Sequence, residues 1–210
     1  MSLDPFLNEF FKTPDAKECC NAIRKYMSKC DTVIEFGCRG GITAIAILQA
    51  LLDGKKKFNP RLVGVDLISD ESINKISEIA NKIGVSYQFW KGHTMDFPPF
   101  ECDGFLWDTF HCYGNLLIDL NSHSDYIHKF IIVVGTTIDG ERSEAARRNL
   151  DTDIVANELR IETNTVGKGL NFAIDEFLEK NSAWKKELVL GDITVLKRID
   201  PIKNSLFKCT

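Results

Sequence analysis

Apolar β-type runs alternate with helical segments along this chain, and that alternation limits what it can fold into. Thr32 to Phe36, Arg61 to Asp66, Val85 to Trp90, Gly104 to Trp107 and Phe130 to Val134 read as strands. Helices fall between them. One covers Ile42 to Leu52. A second carries Ile73, Ile76, Ile79, Ala80 and Ile83 on one face, with Ser69 as its expected N-cap and Gly84 as its stop. A third lies around Gly114 to Asn121. Strands that are apolar on both faces need cover on both faces, which a parallel sheet wrapped by crossover helices supplies. After the fifth strand come a helix over Leu170 to Lys180 and two β runs, Trp184 to Leu190 and Ile193 to Lys197, split by the turn Gly191-Asp192.

The expected fold is therefore α/β: a Rossmann-like, doubly wound, mostly parallel seven-stranded sheet with a C-terminal antiparallel hairpin. Two parts stand apart from it. Residues 1–30 read as an N-terminal helical cap. Phe6, Leu7, Phe10 and Phe11 fall at helical spacing, and Asp15 to Met27 continues after Pro14. Such a stripe packs on a domain, covers a substrate or joins two copies. The remainder, 31–210, is the domain itself. Within it, Thr136 to Lys168 is polar and charged and has no strong period, so it is expected to be a mobile or functional excursion.

Composition narrows the function. Among 210 residues, 30 acidic side chains outnumber 26 basic ones, a net charge of −4, so the footprint of a nucleic-acid binder is absent. Lys55-Lys56-Lys57 reads as solvated charge. No apolar run is long enough to span a bilayer, which needs about 18–20 residues. Met1 to Pro5 shows no signal-peptide pattern. The seven cysteines are odd in number, scattered and lack a C-x-x-C pair, which fits thiols in a reducing cytosol. A cytoplasmic protein with no membrane partner is expected, and a homo-oligomer is left open.

Ligands bind such sheets beyond the carboxyl ends of the strands. The first such loop is Glu35-Phe36-Gly37-Cys38-Arg39-Gly40-Gly41. Gly37 and Gly41 let the backbone pass close to a ligand, and the following helix offers unpaired amides. Arg39 stands where a dinucleotide loop, G-x-G-x-x-G, needs glycine. Glu35 would repel a pyrophosphate but favours a cationic nucleotide such as S-adenosylmethionine. Asp66, ending the second strand, can accept from both ribose hydroxyls. Gly92 and His93 follow the third strand, where they can approach adenine. Asp108 and His111 follow the fourth, Asp108 as an orienting carboxylate or metal ligand and His111 as a general base.

Glu35 to Thr43 resembles motif I of class I methyltransferases. Phe105-Leu106-Trp107-Asp108-Thr109-Phe110-His111-Cys112-Tyr113 resembles the segment after strand four in the cephalosporin hydroxylase and rhamnosyl O-methyltransferase-like branch. The resemblance implies S-adenosylmethionine at Glu35, Gly37, Gly41 and Asp66. Members of the branch often carry an acidic residue where His93 stands. They also carry one just before a threonine after strand five, where this chain reads Val134-Gly135-Thr136-Thr137. Without that carboxylate Asp108 alone makes a poor cation site, and Asp139 or Glu141 would have to supply a ligand; no metal is expected. His123 and His128 do not share a helix face. Two functions follow: methyl transfer to oxygen on a small-molecule or saccharide acceptor, or a degenerate methyltransferase fold that binds the cofactor or a partner without transfer.

Overall fold

The computed structural model describes residues 3, 14–54 and 59–200. Phe6 to Phe11 and Lys55 to Lys57 lie outside the described residues. Seven strands form one sheet: β1 (Thr32–Phe36), β2 (Arg61–Asp66), β3 (Ser86–Lys91), β4 (Cys102–Trp107), β5 (Ile127–Val134), β6 (Trp184–Leu190) and β7 (Ile193–Arg198). Their order is β3-β2-β1-β4-β5-β7-β6. The first five are mutually parallel, and β7 runs antiparallel to both β5 and β6. The expected architecture is the observed one. The order reverses beside β1, so β1 and β4 frame the crevice where such sheets take ligands.

Among the described residues the helices are α1 (Pro14–Met27), α2 (Ile42–Asp53), α3 (Glu71–Ile83), α4 (Tyr113–His123), α5 (Glu144–Arg147), α6 (Thr152–Leu159), α7 (Thr163–Val166) and α8 (Leu170–Lys180). On one sheet face α1, α2 and α3 bury Met27, Ile47, Leu48 and Ile76. On the other, α4 and α8 bury Leu116 and Phe177 against Phe105, Trp107 and Trp184. The link from β3 to β4 holds no α-helix, only a 3-10 turn over Thr94–Asp96. No disulfide joins the six described cysteines. Among the described residues no helix is long and apolar enough to cross a membrane.

Three expectations change. The N-cap of α3 is Asp70 rather than Ser69: its Oδ1 accepts from Ser72 N at 2.8 Å, one residue nearer the first helical turn. Strands β4 and β5 start earlier than their most apolar stretches, at Cys102 and Ile127. The excursion after β5, in which the sequence shows no strong period, holds three short helices. Ser143 and Asp151 cap α5 and α6, and Ala145, Val155, Ala156, Leu159 and Val166 form a small core with Cys112. Asp192, in the β6–β7 turn, pins the start of this segment by accepting from Thr137 N and Ile138 N at 2.9 Å each.

Candidate functional site

A cleft of about 550 Å³ opens at the carboxyl ends of β1, β2, β3 and β4, with the excursion as its far wall. Gly37, Asp66, Gly92, His93, Asp108 and His111 all line it. Glu35 and Gly41 do not. Gly41 starts α2 in a left-handed conformation (φ 72°) and faces α3, where a Cβ would lie 3.1 Å from Ile76. Glu35 lies beneath the loop with no exposed surface.

The loop after β1 is built around close backbone contact. Gly37 has φ 86°, and a Cβ there would lie 1.8 Å from the carbonyl oxygen of Asp108. No other residue fits between β1 and β4. Asp66 closes the loop from the side. Its Oδ2 accepts from Cys38 N (2.9 Å) and Arg39 N (3.2 Å), and its Oδ1 from Ile68 N (3.0 Å). The carboxylate thus holds the glycine loop to the end of β2, and Leu67 and Ile68 beside it expose apolar side chains at the cleft. Both oxygens of Glu35 lack a hydrogen-bond partner among the described residues. Burial raises its carboxyl to about 8; Thr43 nearby favours the charge, and Asp108 and Asp66 oppose it.

At the end of β3, His93 caps the 3-10 turn, its Nδ1 accepting from Met95 N at 3.2 Å. Burial, then the charge of Arg160, holds its pKa below the usual histidine value. Arg160 ends α6 in a left-handed conformation (φ 57°) and pairs with both oxygens of Asp96, at 3.0 and 2.8 Å.

The end of β4 carries the most connected charges. His111 Nδ1 lies 2.9 Å from Asp139 Oδ2, and its Nε2 lies 3.2 Å from Asp108 Oδ1. Arg147 Nε and Nη2 donate to the same Asp139 carboxylate at 2.7 and 3.0 Å. Burial disfavours a charged imidazole, yet the hydrogen bonds and charges of Asp108 and Asp139 outweigh it and raise the His111 pKa. Burial likewise works against the Asp139 charge, and Arg147 and His111 overcome it, so its pKa falls. Gly135 makes this arrangement fit. It has φ 87°, and a Cβ there would lie 2.2 Å from His111 Cε1. The imidazole thus fills the space that a side chain at Gly135 would take. Among the described residues no group of three or more His, Cys, Asp or Glu side chains could hold a metal ion.

In the sequence Asp139 reads as a possible metal ligand from a mobile loop; in the structure it is a partner of His111. Two further residues line the cleft, Arg147, placed by α5, and Asn115, in the first turn of α4. An isolated Arg and an isolated Asn carry no sequence signal for such roles.

No protein-family profile matches the chain, and a search of curated proteins returns no sequence match. Solved structures do match. A methyltransferase of Podospora anserina, bound to SAH, aligns with a TM-score of 0.52 at 16% identity, covering 90% of this chain and 83% of that one. An O-methyltransferase from Bacillus cereus, in complex with SAH, aligns with a TM-score of 0.56 at 12% identity, covering 90% and 82%. The chain has the fold of these methyltransferases over nearly its whole length.

Proposed function

We propose that this chain is an S-adenosylmethionine-dependent methyltransferase of the class I family that methylates an oxygen on a small or sugar-like acceptor. The observation that carries the reading is His111, held in the cleft between Asp108 and Asp139 beside the glycine loop. The SAH in both structural relatives supports the cofactor. The chain's own residues fit it: Gly37 gives close approach and Asp66 offers carboxylate oxygens at the end of β2, while Glu35, expected to favour a cationic ligand, lies buried beneath the loop and outside the cleft lining, its carboxyl pushed up to about 8 by burial. Gly92, His93 and Asp108 complete the contacts. The cofactor supplies a methyl group already activated by its sulfonium.

What remains for the protein is alignment and removal of a hydroxyl proton. Asp139 is the inner partner of His111 and is itself clamped by Arg147. The neutral imidazole donates Nδ1–H to Asp139, which leaves the Nε2 lone pair to take the acceptor's proton. Asp108, one third exposed on its side chain, turns from Nε2 toward the acceptor. The raised His111 pKa sets the pH dependence. The base is the deprotonated form, so kcat/KM climbs as pH rises through a value above the usual 6.5. In Asp139→Asn that limb moves to lower pH.

A second reading has its own observation. Both ring nitrogens of His111 face carboxylates, the arrangement of a resident imidazolium in a site that binds without transferring. His111→Ala separates the two readings. For the enzyme it retains S-adenosylmethionine binding by calorimetry and loses about 10²–10⁴-fold in turnover across an acceptor panel. Binding without methyl transfer by the wild type, over the same panel, establishes the second reading. No binding at millimolar concentration removes both.

A further inference from the structure

The two ring nitrogens of His111 are met by Asp139 and Asp108, and a third neighbour meets the ring itself. Trp107, the last residue of β4, has its ring centroid 5.8 Å from that of the imidazole, with the two planes 30° apart. This is closer to offset stacking than to an edge-to-face contact, and it lies within the distance at which a cation is attracted to an aromatic face. Arg147, behind Asp139, and Glu144, which accepts from the His111 backbone N–H at 3.4 Å, also face His111 from α5. Trp107 has no exposed surface, so its own polar group has to be met inside the protein. Its Nε1–H donates to Asp119 Oδ2 at 2.8 Å, and Asp119, on α4, is fully buried as well. Burial raises the Asp119 carboxyl to about 7, while the bond from Trp107 and the nearby Thr94 favour its charge. His123, one turn further along α4, is held down at about 4 by burial and stays neutral. The indole is thus anchored at its nitrogen and offered to His111 by its ring.

We propose that Trp107 is a positioning residue for His111, its indole face steadying the imidazolium, and that Asp119 holds the indole in place. This rests on the reading of His111 as the base, since taking the acceptor's proton creates the imidazolium that the ring supports. Trp107 also belongs to the core that β4 shares with α4 and α8, so the effect of its face has to be separated from that of its packing.

The imidazole titration of His111, followed by NMR in the protein without ligand, tests this. Trp107→Phe and Trp107→Leu both lose the N–H that Asp119 accepts, and only the first keeps an aromatic face. Trp107→Leu is expected to lower the midpoint by about 0.4–1.5 pH units, the worth of a cation–π contact, and Trp107→Phe by less than about half as much. Equal midpoints in the two variants overturn the role of the face. Asp119→Asn keeps an acceptor for the indole and is expected to leave the midpoint nearly unchanged, whereas Asp119→Ala lowers it toward that of Trp107→Leu. An equal fall in both removes Asp119 as the holder of the ring. Should the variants not fold, the wild type decides: cross-relaxation between indole and His111 ring protons is expected, and its absence overturns the contact. The pH profile of kcat/KM then tells the two readings apart. A limb that follows the NMR midpoint from variant to variant supports both. A limb that stays put while the midpoint moves overturns His111 as the base, and with it any part for Trp107 in the reaction.

Discussion

Gly135 and Glu35 show how much a single position decides here. At Gly135 two constraints coincide, a left-handed backbone and an imidazole where a side chain would go. Gly135→Ala meets both. The left-handed strain alone costs about 1–2 kcal/mol, and displacement of His111 adds to it. A urea midpoint lowered by at least about 2 kcal/mol equivalent is expected, together with a His111 imidazole resonance that loses its raised pKa. Glu35 makes a prediction about pH. Its folded pKa, about 8, stands above the unfolded carboxylate value, so the folded chain holds a proton that the unfolded chain releases. That contribution is complete below about 4.5 and is lost as pH rises through about 8. Glu35→Gln is therefore expected to flatten the fall in stability between pH 5 and pH 8 by on the order of 1–3 kcal/mol. Urea titrations at the two pH values measure it, and parallel slopes in variant and wild type contradict it.

At the scale of elements, the folded excursion is tied down at two points. Asp192 holds its start and the Arg160–Asp96 pair holds the end of α6 to the turn after β3. That pair is half exposed, so it adds little to global stability. Its effect is local, on how readily the cleft opens. Arg160→Ala is expected to raise the dissociation rate of S-adenosylhomocysteine about two- to fivefold with an almost unchanged melting temperature. Salt at 0.5 M, roughly enough to screen an exposed pair, then speeds release from the wild type but not from the variant. Stopped-flow displacement reads both. These elements also mark where sequence reading stopped. The strands and α8 were legible because each holds apolar residues at its element's own period, although the polar starts of β4 and β5 fall outside those stretches. Helices α5, α6 and α7 were not, because runs of four, eight and four residues hold barely one or two helical turns. The candidate site divides the same way. Glycines and carboxylates at strand ends can be located from the strands, whereas the pairing of Asp139 with His111 depends on a chain return that no local pattern encodes.

For the whole molecule, one sheet carries a cleft with strand ends on one side and the excursion on the other. A ligand that touches both sides stabilises the folded state by about 2.7 kcal/mol at a hundred times its Kd. For a chain of this size that is a rise in melting temperature of about 5–10 °C. S-adenosylhomocysteine is expected to produce it and adenosine alone to produce less; an unchanged melting temperature with either argues against the cleft as the site. The placement of β7 has a temporal consequence. It enters between β5 and β6, so the sheet closes only when the last strand has been made. Asp192, at the start of that strand, pins Thr137 and Ile138 beside Asp139. On a growing chain, then, the glycine loop and Asp66 are present long before the residues that steady the partner of His111. The nucleotide half of the cleft can form early, and its acid–base half is completed last.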